Sequence, residues 1–216
     1  MSKAVRAMPA LMLGLALTPA MVSTGGTQSA PPAKLPEGVF AAERDIKLAT
    51  AGNYNLDPMH TAVIARVSHL GYSWSIFRFD RAQGTLAWDP AAVAKSRLSV
   101  SVQTNSVSTN VQGFAAEIAG DGFLKSAAFP QATFVSSAFR QKNATHGQVD
   151  GQFTLMGKTV PLTFDVALAG AGKGFMGKPR IGIQARAVIK PQDFGLPPLM
   201  TDPIELVIDT EFEKAP

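Results

Sequence analysis

No cysteine occurs anywhere in this chain. Disulfides, thiolate metal sites and thiol catalysis are excluded at once, and so is lipid attachment at an N-terminal cysteine. Histidine is nearly as scarce: His60, His69 and His146 are the only three. The chain contains no GxSxG elbow, HExxH pair, P-loop or dinucleotide fingerprint. Charged residues make up 17%, and the formal net charge of +4 falls to +2 without Lys3 and Arg6. The basic residues are scattered. Arg78, Arg81, Arg140 and Lys142 come nearest to clustering, which is too dilute for a nucleic-acid groove. No apolar run reaches the length of about 20 residues that a membrane-spanning helix needs.

The first residues form a separate unit. Lys3 and Arg6 precede a short apolar run (residues 7–17, AMPALMLGLAL), and small residues follow at Thr18, Ala20, Ser23 and Thr24. That is the layout of a secretory signal peptide. The expected organisation is a signal peptide over residues 1–23, a Gly/Pro/Ala-rich connector over 24–52, and one domain over 53–216. Export to a periplasm follows as the expected localisation. A short helix is expected near residues 39–51, over one end of the domain.

What the chain has in quantity is strand pattern. TAVIARVSH, WSIFRFD, GTLAWD, RLSVSVQT, ATFVSSAF, GQFTLMG, TVPLTFDVAL, IGIQARAVI and IELVIDTEF follow one another with polar or Gly-rich breaks. Leu98, Val100 and Val102 alternate with Ser99, Ser101 and Gln103, the signature of a half-buried strand. Residues 105–128 break the pattern and predict a connection with one short helix, placed to cover a barrel mouth. Short turns between successive strands favour an up-and-down antiparallel sheet. Such a sheet, apolar on one face, packs on a second sheet or closes on itself. The expected fold is all-β: an extended antiparallel eight-stranded barrel with one or two short helices.

An eight-stranded barrel is either filled by its own side chains or able to hold one ligand. Many inward positions are small or medium (Ala65, Val67, Val100, Val102, Val166, Ile183, Ala185), which favours an open apolar lumen. Its expected lining is Val63, Val67, His69, Trp74, Phe77, Phe79, Leu86, Trp88, Val100, Val102, Phe134, Phe153, Leu155, Leu162, Phe164 and Ile183. His60 is expected at the rim, near a ligand head group. Asp57 and His60, three apart, read either as half of an acid–base or metal site or as a hydrogen bond at a strand entry. Three unclustered histidines favour the second. His146, in a polar loop, is expected to be solvated.

The chain resembles the YceI-like family. The likeness rests on residues 54–60 (YNLDPMH), 69–74 (HLGYSW), 104–109 (TNSVST), 129–134 (FPQATF), 151–162 (GQFTLMGKTVPL) and Asp193-Phe194-Gly195, all in order across about residues 53–213. The resemblance implies a lipocalin-like barrel, exported to the periplasm, that holds a polyisoprenoid chain. Three places depart from the family pattern. The segment 117–124 (EIAGDGFL) lacks the basic residues usual there. Phe77 stands at a common glycine position, and Pro191 stands where arginine is frequent. A phenylalanine pointing inward at 77 would shorten or divide the lumen.

The function expected from both lines is a carrier for an isoprenoid-tailed or similar amphipathic lipid. No catalytic residue, metal or cofactor is assigned, and a bound isoprenoid quinone or prenyl lipid would be a ligand. Edge or rim contacts would allow a homodimer. The alternatives are an enzyme on a lipid-like substrate using Asp57, His60 and His69, or a plugged barrel acting as a partner-binding module.

Overall fold

The computed structural model describes residues 35–36, 40–174 and 177–216. The expected signal peptide and the first part of the connector lie outside the described residues. Ten strands follow in order: β1 (Gly52–His69), β2 (Ser73–Phe79), β3 (Ala82–Trp88), β4 (Arg97–Gln103), β5 (Val107–Ser108), β6 (Gln131–Gln141), β7 (His146–Leu155), β8 (Lys158–Lys173), β9 (Pro179–Ile189) and β10 (Ile204–Lys214). Two short helices interrupt them, α1 (Phe114–Ala119) and α2 (Pro191–Phe194).

Eight of these strands form a closed antiparallel ring, β1-β3-β4-β6-β7-β8-β9-β10, sealed where β10 returns to β1. The ring follows chain order. At β7–β8 the turn residues Met156 and Gly157 both have positive φ, 51° and 74°. That is the twist a two-residue hairpin needs. β2 folds back on the upper half of β1, and β5 pairs with the end of β2. Of the helix expected near residues 39–51, the described residues 40–51 form only a 3-10 turn, Ile46–Leu48, its start capped by the Asp45 side chain on the Lys47 amide.

One irregularity sets the faces of β1. Its register against β10 slips between Asp57 and Ala62. Leu56 and Thr61 are both buried, although five positions apart, so the bulge inverts the alternation. His60 is exposed and Met59 is 85% exposed on the outside. There Asp57 Oδ2 accepts from His60 Nδ1 at 2.8 Å and from Arg180 Nη1 at 2.6 Å, and Asp57 Oδ1 accepts from the Met59 amide at 2.9 Å. Arg180 also donates to Glu211 (2.6 Å) and Glu213 (2.7 Å), tying β1, β10 and β9 together across the outer face.

Partial burial pushes the Asp57 carboxyl upward. Its hydrogen bonds from His60, Arg180 and Met59 outweigh that and hold it at about 2, below the ordinary 3.8. A depressed carboxylate contributes stability that is complete above its unfolded value and lost as pH falls through the folded one. Between pH 5 and pH 2, wild type should therefore lose about 1 kcal/mol more stability than Asp57→Asn, after allowance for solvent screening. Urea denaturation at a series of pH values measures this. A second expectation concerns close packing. A Cβ on Gly151 would lie 2.4 Å from the Val135 carbonyl oxygen and 2.5 Å from Phe134 Cζ. Gly151→Ala should destabilise by about 1–3 kcal/mol, read from the denaturation midpoint.

Candidate functional site

The inward face of the ring encloses a cavity of about 290 Å³. Alternation explains its wall. β4 contributes Leu98, Val100 and Val102, β8 contributes Phe164, Val166 and Leu168, and β9 contributes Ile181, Ile183 and Ala185. Phe134 and Phe164 meet edge to face at 5.0 Å on one side. The wall is hydrocarbon over most of its length, as expected where every strand backbone bonds to its neighbour and none needs water.

The two ends differ. At one, α1, α2 and the β7–β8 turn build a packed plug around Leu155, Met156, Ile189, Phe194 and Leu196. Phe77 packs on Phe114 of α1 with ring centroids 5.8 Å apart, and Phe153 on Phe194 at 5.5 Å. At the other end a strap, residues 43–51, crosses from β8 to β3. Glu43 and Ala171 exchange backbone hydrogen bonds of 3.0 and 2.8 Å, Arg44 Nε donates to the Leu168 carbonyl at 3.2 Å, and Trp88 Nε1 donates to the Ala49 carbonyl at 3.0 Å. Ile46 of the strap, Val93 after β3, and Asn143, Thr145 and His146 of the β6–β7 hairpin line the cavity at this end. Asn143 Oδ1 accepts from the amides of Thr145 and His146, both at 2.9 Å, which fixes the hairpin loop.

Of the residues expected in the lining, Val63, Phe79, Leu86, Trp88, Val100, Val102, Phe134, Phe153, Leu155, Phe164 and Ile183 border the cavity. Five do not. Val67 and Leu162 point inward but lie against the plug. Phe77 is part of the plug itself, so it fills one end and does not divide the lumen. Trp74 is 48% exposed on the outer face, with the Arg66 guanidinium 4.7 Å above its ring. His69 is exposed at the tip of the β1–β2 hairpin. His60 is on the outer face of the bulge, away from the rim formed by residues 143–146.

The set Asp57, His60 and His69 is not assembled. Asp57 sits opposite Glu211, while His69 sits opposite Ser73 at the far end of the same strand. Asp57, His60 and Glu211 do bring ligand atoms within 4.8 Å of one another. Arg180 already bonds both carboxylates there and occupies the place a cation would take. His146 is exposed, as expected, but also borders the cavity. Sequence reasoning passed over Ile46, Val93, Asn143 and Thr145, which belong to no periodic segment. It also passed over Thr210, although Ile208, Thr210 and Phe212 alternate on one face.

The comparisons with known proteins agree with this architecture. The YceI-like domain matches residues 54–212. The chain is 34% identical over 168 residues to Protein YceI of Salmonella arizonae, covering 76% of this chain and 87% of the relative. Among solved structures, BcnA of Burkholderia cenocepacia superposes with a TM-score of 0.65 at 21% identity, covering 72% of this chain and 98% of that one. A polyisoprenoid binding domain from Saccharophagus degradans, implicated in plant cell wall breakdown, superposes at 0.54 with 16% identity, covering 77% of this chain and all of that one. Closed barrel, inward apolar wall and residue-by-residue likeness converge: this chain belongs to the YceI-like family.

Proposed function

We propose that this chain is an exported carrier that holds an isoprenoid-tailed or similarly amphipathic lipid in its lumen. The observation that carries the proposal is the 290 Å³ apolar cavity inside a closed barrel. The binding named for the Saccharophagus domain supports the ligand class, and the leader pattern supports export, with the periplasm as the destination. Among the described residues no helix is long and apolar enough to cross a membrane.

Burial is the mechanism. Each CH₂ removed from water contributes about 0.8 kcal/mol, so a few prenyl units offset an association cost of roughly 4–15 kcal/mol. The plug at α1 and α2 sets the orientation: the tail lies toward Phe153 and Leu155, and the head lies toward Asn143, Thr145 and His146. That moves the head-group role from His60 to the β6–β7 hairpin. No catalytic step is assigned, because the His60–Asp57 pair faces away from the lumen. The plug to which Phe77 belongs closes one end of the lumen, which favours a short chain over the longest prenyl lipids.

Native mass spectrometry of the purified protein, followed by organic extraction, tests the proposal. Wild type should carry one lipid per chain or take up added prenyl lipid at that ratio. Val166→Trp, which fills the lumen without adding charge, should lower occupancy at least tenfold while the far-ultraviolet spectrum stays that of a β-barrel. Absence of lipid and of uptake in wild type overturns it.

A further inference from the structure

The hydrocarbon wall carries a pair of buried hydroxyls in direct contact. Thr61 and Thr210 are buried, 8% and 6% exposed, and both border the cavity, Thr210 between Ile208 and Phe212 on β10 and Thr61 on the adjoining β1. Their Oγ1 atoms are 2.7 Å apart. Thr61 Oγ1 also lies 2.7 Å from the Asp57 carbonyl oxygen. A hydroxyl has one proton. Thr61 spends its proton on Asp57, because a contact that short between two oxygens requires a hydrogen between them. Thr210 must therefore supply the proton shared with Thr61. The other acceptor near Thr210, the Glu211 carbonyl at 3.4 Å, is too distant to compete.

The direction of this chain has a chemical consequence. Thr210 borders the lumen, and its Oγ1, with its proton committed to Thr61, has only lone pairs left to offer. Thr104, the third buried hydroxyl of the lining, spends its own proton on the Phe129 carbonyl at 2.8 Å. The buried hydroxyls of the lumen therefore accept hydrogen bonds and do not donate them.

We infer that the Thr61–Thr210 pair makes the lumen selective for hydroxyl-bearing isoprenoids. A ligand O–H placed beside Thr210 gains a hydrogen bond in a dry site. An ether or carbonyl oxygen beside Thr210 gives up water and meets no donor from the pair, which leaves it uncompensated there. The inference rests on the lipid-carrier reading and adds the chemistry of the preferred ligand.

The test compares farnesol with farnesyl methyl ether, which share a tail and differ in one proton. Trp88 borders the lumen and reports occupancy by its fluorescence, and Trp74→Phe removes the outer-face tryptophan from the signal. In that background farnesol should bind about five- to tenfold more tightly than the ether. Thr210→Val should bring the two within about twofold, chiefly by weakening the alcohol, and Thr210→Ser should keep the preference. Thr61→Val, measured independently, frees the Thr210 proton and should improve ether binding. Equal affinities in the parent, or a preference that survives Thr210→Val, overturn the inference while leaving the carrier reading intact. Failure of both ligands to bind overturns the carrier reading as well.

Discussion

The pairing of β1 with β10 is the constraint on which the rest depends. It runs from Tyr54–Lys214 to Arg66–Glu205 and turns an open sheet into a ring. An open sheet with this inner face would need a second sheet to cover it. Closure removes that need and leaves no ring edge exposed. It also satisfies the strand backbones within the wall, so the interior makes no demand for water. The lumen can then be hydrocarbon nearly throughout, and its volume is decided by side-chain size alone. Ala65, Val100, Val166 and Ala185 are too small to meet across an eight-stranded ring, while phenylalanines close the end near α1.

A void of this kind is costly for a protein left empty. Cavity formation costs about 24 cal/mol per Å³ in filled cores. For 290 Å³ that is on the order of 7 kcal/mol, comparable with the net stability of about 5–15 kcal/mol of an ordinary domain. The plug and the strap limit the loss by packing both ends: Phe194 is 1% exposed at one, and Ala49 and Ala171 are 1% exposed at the other. An occupant that fills the middle restores the missing contacts. Binding and stability are then linked, since whatever binds the native state alone stabilises it by mass action.

Much of this was legible from alternation. The strand train, the up-and-down order and most of the wall follow from period-two patterning in segments such as residues 97–103. The failures are equally physical. Trp74 and Phe77 differ in parity and cannot share a face of β2; only Phe77 and Phe79 point in, so the exposed Trp74 was recoverable from spacing alone. Val67 and Leu162 are on the correct face but beyond the end of the void, and no local pattern says where a plug begins. Phe139 borders the lumen because a register shift between Ser136 and Ala138 re-aims it. Ile46, Val93 and the 143–146 hairpin converge only through closure of the ring, so their separate loops carry no common signal.

The bulge in β1 joins the outer and inner chemistry through one residue. On the outside, the Asp57 carboxylate anchors His60 and Arg180 and so pins β1 to β9. On the inside, the carbonyl of the same Asp57 accepts the Thr61 proton and thereby fixes the direction of the hydroxyl chain to Thr210. A regular strand continuing from Leu56 would turn His60 and Ala62 inward and Thr61 outward, leaving Thr210 without its acceptor. The extra residues between Asp57 and Ala62 put a hydroxyl there instead, with its proton already committed. A departure from regular strand geometry, held in place by surface charge, thus decides what kind of polar atom the lumen accepts.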